Sequence, residues 1–316
     1  MFTLFFAGRD FAPKAIINDM NIQDFLQSCF INSIKHFAAR IHAVGGLENT
    51  TVIGWESFNE PHYGFAGNQD LSKLMANQQI RVGTVPTAFQ TLKLGSGLAE
   101  TVDYYVFGNF GPAKKGTRLI DPDGLQVWSS PGGDDSRYGW KRSPDWKLGK
   151  CIWAQHGVWD VSTATLLQPD YFAKTPEGET INDEVWMQRY FLPHVKAYIG
   201  AIRESHQDAM LLLQPPVWFI PPKVSPAELG GRVVYSPHFY DGLTLMQKKW
   251  YPYLGFVNCR KWWNVDGLGY MRGRYLTPAQ ALRLGAMAVR NCFRDQLKVM
   301  RQEGLDRIGT PFLQRC

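Results

Sequence analysis

The chain has 316 residues, 45% of them hydrophobic, and a net charge of +6. That is enough apolar material for one large core or two modest ones. With no Lys/Arg block and no nucleic-acid motif, the basic balance excludes nucleic acid and leaves weak attraction to an anionic membrane surface as the partner class.

Five cysteines, Cys29, Cys151, Cys259, Cys292 and Cys316, are scattered, odd in number and without metal-ligand spacing. They predict free thiols in a reducing compartment and no metal site. No stretch approaches the length of a membrane-spanning helix. The opening Met-Phe-Thr-Leu-Phe-Phe lacks a basic n-region and soon meets Arg9 and Asp10, a poor signal peptide, so a cytoplasmic location is expected. Aromatics make up 14%, with 11 Trp. Rings that stack on sugars or lipids would explain this, although a large aromatic core accounts for most single Trp residues.

In chain order, residues 1–12 read as a strand or buried loop. A helix follows, with Ile22, Phe25, Leu26, Cys29, Phe30, Ile34, Phe37 and Ile41 at helical spacing, Asn21 as its cap and Gly45-Gly46 as its stop. Val52 and Ile53 then read as a buried strand that Pro61 terminates. This leaves Asn59 and Glu60 at the strand's C-terminal mouth, where barrel enzymes keep their chemistry. A half-buried carboxylic acid there, its pKa raised by burial, suits protonation of a leaving group, and Asn59 suits a substrate hydroxyl. A strand-end Glu satisfied by a local turn is the alternative.

From Tyr63 to about Asn182 no βα unit is legible. The stretch is rich in Gly, Pro and Asp and holds Trp128, Trp140, Trp146, Trp153 and Trp159. It is too long for an ordinary loop and too aromatic for a disordered one. It reads as an ordered elaboration over a barrel mouth, forming either a wall for a lipid aglycone or a lid packed on itself. A helix over about 183–205 is expected to kink or split at Pro193. Met210–Leu213 is a short apolar strand ending at Gln214-Pro-Pro. Gln214 is either a substrate contact or a structural amide. Arg232–Tyr235 is the next strand, and period-two alternation puts His238 and Tyr240 on one side of the chain beyond it. Trp250, Trp262 and Trp263 lie in a further aromatic loop. Thr277-Pro278 opens a last helix with Leu282, Ala286, Val289, Phe293, Leu297 and Met300 as its stripe and Gly304 as its stop. Residues 308–313 begin another strand.

Trp55-Glu-Ser-Phe-Asn-Glu-Pro61 resembles the fourth-strand motif of family 5 glycoside hydrolases, the cellulase-like retaining enzymes with a (β/α)8 fold. Met1–Lys14, Gln155–Trp159 and Ser236–Gly242 are similar to the fungal branch that removes glucose from sterols or ceramide. The resemblance covers most of the chain. It implies Glu60 as general acid/base, Asn59 as a contact to the sugar, and His238 and Tyr240 as groups that orient the carboxylate and bind a hydroxyl. It implies no cofactor and no metal.

The family's second carboxylate, the nucleophile, is not found. The strand that would carry it ends in Gln314-Arg315-Cys316, Glu303 lies on the helix before it, and Asp241 follows Tyr240 and should face away. The family's first strands, its eighth strand and the C-terminal β-sandwich of this branch are also missing, so Met1 reads as an internal methionine. The expectation is therefore an incomplete (β/α)8 TIM barrel over 1–316 with an insertion at about 63–182. Its function would be hydrolysis of a β-glucosidic bond to a lipid aglycone, impaired in this chain, with a glycolipid as partner. A non-catalytic carbohydrate- or lipid-binding remnant is the rival.

Overall fold

The computed structural model describes residues 1–75, 78, 81–108, 111–130, 135–241, 245–246, 248, 263–265, 268, 271–274, 276 and 280–310. The chain divides into two compact units, Met1–Ile34 with His62–His194 and Lys35–Pro61 with Val195–Cys316.

In the first unit the opening segment is an α-helix, Phe2–Phe11, where a strand or buried loop was expected. A short run that is mostly apolar reads alike in both states. Phe5, Phe6, Ala7, Gly8 and Phe11 are all buried while Arg9 is exposed, so most of this helix's surface is enclosed. The helix Ile22–Val44 runs where the spacing predicts. Asn21 Oδ1 accepts from the Gln23 N–H at 2.9 Å at its start.

The stretch 63–182 contributes an antiparallel sheet of Gly83–Val85, Glu100–Gly108 and Gly111–Ile120. The helix Ala88–Leu94 between its first two strands has a full capping box, in which Thr87 and Gln90 each accept the other's backbone N–H. Trp153, Trp159 and Trp186 are buried. Trp153 meets Phe172 edge-on at 5.0 Å, and Trp186 meets Phe6 at 5.3 Å. These rings are core.

The helix expected over 183–205 is three segments: α over Asp183–Trp186, π over Met187–Phe191, and α over Leu192–Arg203. Pro193 has no N–H to give, and its ring crowds the carbonyl four residues back. The wide turn before it absorbs the misfit, with the Leu192 N–H reaching back to Met187 O.

The second unit holds three parallel strands in the spatial order Val233–Tyr235, Met210–Leu213, Gly54–Glu56. The strand before Asn59-Glu60 therefore sits two residues later than Val52-Ile53 suggested, and Ile53 is 50% exposed. What fixes the position is Gly54. It pairs with Met210, and a Cβ there would lie 2.7 Å from the Met210 carbonyl oxygen. The helix Leu192–Arg203 contributes buried Tyr198, Ile199 and Ile202 to this unit, and Tyr198 Oη donates to the Glu56 carbonyl at 2.9 Å. At the helix end the Arg203 guanidinium donates to the carbonyls of Ala209, Leu229 and Gly231 and so ties down the loops around the strands.

Parallel strands with helices make an α/β arrangement. Among the described residues no fourth strand joins the three, so these strands form an open sheet and show the α/β part of the expected incomplete barrel. The last helix is Ala286–Arg307, and Leu282 lies instead in a strand, Leu282–Leu284, antiparallel to Trp263–Val265. Gly304 does not stop this helix but lies inside it. A Cβ at Gly304 would meet the Tyr235 ring at 2.5 Å, so it is a glycine of close approach, which no local pattern distinguishes from a stop. Thr277, Pro278, Trp250, Trp262 and residues 311–313 lie outside the described residues. Cys29, Cys151 and Cys292 are free thiols. Among the described residues no helix is long and apolar enough to cross a membrane.

Candidate active site

The three parallel strands all release their chains at the same end, and the predicted residues gather there. Gly54–Glu56 leads through a bend to Asn59 and Glu60, Met210–Leu213 to Gln214, and Val233–Tyr235 to Ser236, His238 and Tyr240. Glu60 Oε1 takes hydrogen bonds from His238 Nδ1 at 2.8 Å and from Tyr240 Oη. His238 is 7% exposed and the Glu60 side chain 33%. The imidazole is thus fixed by packing, and the carboxylate keeps one face open. Asn59 is exposed beside it.

Glu60 has φ +53°, in the left-handed region. For a non-glycine residue that conformation costs free energy and persists only when its surroundings impose it. One of those surroundings is Gln214, buried at 4%, whose Oε1 accepts the Glu60 N–H at 3.1 Å. Gln214 thus holds the backbone of the carboxylate residue. Among the described residues its Nε2 is buried without a hydrogen-bond partner, as are Ser236 Oγ and His238 Nε2. Buried polar atoms left unpaired cost stability and gather at functional sites.

The electrostatics differ from expectation. Burial does push the Glu60 carboxyl upward, but the hydrogen bonds from Tyr240 and His238 and the charge of His238 outweigh it, so the net shift is below the ordinary value. The reason is that two donors from another strand converge on one oxygen, which residue-by-residue reading cannot weigh. Because the folded pKa lies below the unfolded one, the ionised Glu60 stabilises the fold above the unfolded pKa. That contribution is lost as pH falls through the folded value. Tyr240→Phe should therefore raise the carboxyl titration midpoint of Glu60, read by NMR of 13C-labelled glutamate. The stability difference between wild type and variant should shrink toward acid. A midpoint unchanged by Tyr240→Phe would mean that this hydroxyl does not serve the carboxylate.

Glu303 forms a bidentate pair with Arg272, with contacts of 2.5 and 3.3 Å, on the inner side of the last helix. Among the described residues no group of three or more His, Cys, Asp or Glu side chains could hold a metal ion.

No family model matches the chain. It is 48% identical over 312 residues to a glucosylceramidase of Aspergillus fumigatus, covering 98% of this chain and 40% of that protein. It is 36% identical over 318 residues to the ergosteryl-beta-glucosidase of Saccharomyces cerevisiae, again covering 98% and 40%. A crystal structure of Cryptococcus neoformans sterylglucosidase 1 superposes with a TM-score of 0.91 at 40% identity, covering 99% of this chain and 42% of that one. The chain thus spans about 40% of the length of the curated relatives it matches.

The superposed structure and the parallel strands agree on an α/β fold. Of the features at the strand ends, the sequence alone missed the left-handed backbone of Glu60, and of its two readings of Gln214 the structural amide is the one the hydrogen bond to Glu60 supports. The signal for that role was present as a polar residue immediately after a fully apolar strand.

Proposed function

We propose that this chain carries the proton-transfer half of a retaining β-glucosidase that acts on a glucoside with a lipid aglycone, sterol or ceramide. Its fold would be part of a family 5 (β/α)8 barrel. The observation that carries the reading is the Glu60 carboxylate held by His238 and Tyr240 at the common end of three parallel strands. The names of the relatives support the substrate class. In this reading Glu60 protonates the departing aglycone oxygen and then, as carboxylate, takes the proton of the attacking water. Asn59 binds the sugar, and His238 and Tyr240 orient Glu60. The lowered pKa suits the second step. For the first, a neighbouring negative carboxylate has to raise it. That second carboxylate, roughly 5 Å away in retaining enzymes, is unassigned here.

The experiment supplies its function from outside. Purified chain is incubated with an aryl β-glucoside, with and without azide. Azide can attack the anomeric carbon from the α face while the phenol leaves with the Glu60 proton, giving α-glucosyl azide. The expected result is little turnover alone and azide-dependent formation of that product. Robust hydrolysis without azide would show that a carboxylate of this chain already serves as nucleophile. No cleavage under either condition would overturn the glucosidase reading in favour of a carbohydrate- or lipid-binding role.

A further inference from the structure

The strands Glu100–Gly108 and Gly111–Ile120 form a hairpin in the first unit that the chemistry at Glu60 does not use. Its third strand stops early. Gly83 pairs with Tyr105, and among the described residues Val106–Gly108 and Gly111–Ala113 pair only with each other. Every residue from Pro112 to Leu119 is exposed, and Leu119 is 69% exposed. Tyr104, Tyr105 and Phe107 on the facing strand are only half-buried. From Tyr104 to Arg118 the sequence holds Lys114, Lys115 and Arg118 and no acidic residue. Lys114 is paired with Asp103 at 2.6 Å. Lys115 is the extra residue of a bulge between the Tyr104–Gly116 and Tyr105–Lys114 pairs. The Arg118 guanidinium lies over the Tyr104 ring at 4.4 Å.

Lysines on an edge strand commonly serve to block edge-to-edge pairing. That accounts for Lys114 and Lys115 but not for three half-exposed aromatic rings and an exposed leucine on the same hairpin. Aromatic rings with one polar end, flanked by long cationic side chains, match the boundary layer of a bilayer. Nucleic acid would satisfy the charges and could stack bases on the rings, but it would leave Leu119 unused.

We infer that this hairpin docks the chain on a bilayer containing anionic phospholipid, with Tyr104 on one face of the ribbon and Tyr105 and Phe107 on the other at the headgroup–acyl boundary, and Lys115 and Arg118 facing lipid phosphates. The inference stands on the hairpin alone and is independent of the glucosidase reading. Each such cation contributes roughly fivefold in affinity for an anionic surface, so Lys115→Gln with Arg118→Gln should weaken binding about thirtyfold. The assay is co-sedimentation of the full chain with phosphatidylcholine vesicles with and without phosphatidylserine, over a range of salt.

Wild type should bind the phosphatidylserine vesicles and lose binding as salt rises. The control is Lys298→Gln with Arg301→Gln, an equal charge loss at two exposed positions of the last helix, and it should bind like wild type. Amide hydrogen exchange on wild type should slow in the strands 104–108 and 111–118 when vesicles are added. Three results would overturn the inference: no binding to anionic vesicles, equal loss in both double variants, or tighter binding to a short oligonucleotide than to vesicles.

Discussion

Glu60→Gln is expected to slow cleavage of glucosides with poor leaving groups by about 10²–10⁴-fold, while barely affecting a dinitrophenyl glucoside. The difference lies in the departing oxygen. A sterol alkoxide is strongly basic and leaves only with a proton, whereas a dinitrophenolate leaves unaided. The glutamine amide keeps the size of the side chain and an oxygen for Tyr240 and His238 to donate to, so the site should stay assembled. What it lacks is a transferable proton. The measurement is the azide-dependent rate across aryl β-glucosides of graded leaving-group acidity. Steeper dependence in the variant supports proton transfer by Glu60. A uniform loss across the series would make Glu60 a binding group.

Gly54→Ala is expected to destabilise the fold by about 1–3 kcal/mol, against the local trend. A strand interior normally favours alanine over glycine by roughly 0.5–1 kcal/mol. Here the new methyl would lie 2.7 Å from the Met210 carbonyl oxygen and 2.8 Å from Met210 Cβ, across a strand pair. Backbone cannot give way as a flexible side chain does, so the overlap outweighs the propensity. Moving that strand also moves Glu60 against Gln214, so the loss should extend to the carboxylate's backbone anchor. Gly200→Ala provides the contrast. Gly200 lies inside the helix Leu192–Arg203 with nothing near its missing Cβ, and the change should stabilise by about 0.5–1 kcal/mol. Urea unfolding midpoints at constant slope read both. A neutral Gly54→Ala would mean that the two strands can separate at no cost.

What was legible in the sequence is what a local pattern can carry. The helix Ile22–Val44 follows from its apolar spacing and its Asn and Gly ends, and Met210–Leu213 from a short apolar run before Gln-Pro-Pro. His238 and Tyr240 reach one carboxylate because residues two apart on extended chain point the same way. What was not legible depends on partners far along the chain. His238 and Tyr240 lie 178 and 180 residues from Glu60, and their combined pull on its proton has no trace near position 60. Gly304 looks like a helix stop and is spacing for the Tyr235 ring. Phe2–Phe11 is short and mostly apolar, so a strand or buried loop fitted its pattern as well as a helix.

The left-handed backbone at Glu60 puts two kinds of selection in opposition. A side chain there carries a conformational penalty of about 1–2 kcal/mol that glycine escapes. Design or substitution procedures that score backbone fit alone should therefore favour Glu60→Gly, although the ionised side chain itself stabilises the fold through His238 and Tyr240. Such procedures would count as an improvement the removal of the one carboxylate that His238 and Tyr240 hold at the strand ends. Position 60 can thus report how a variant was scored: glutamate persists where its hydrogen bonds or its chemistry count and disappears where backbone fit alone is rewarded.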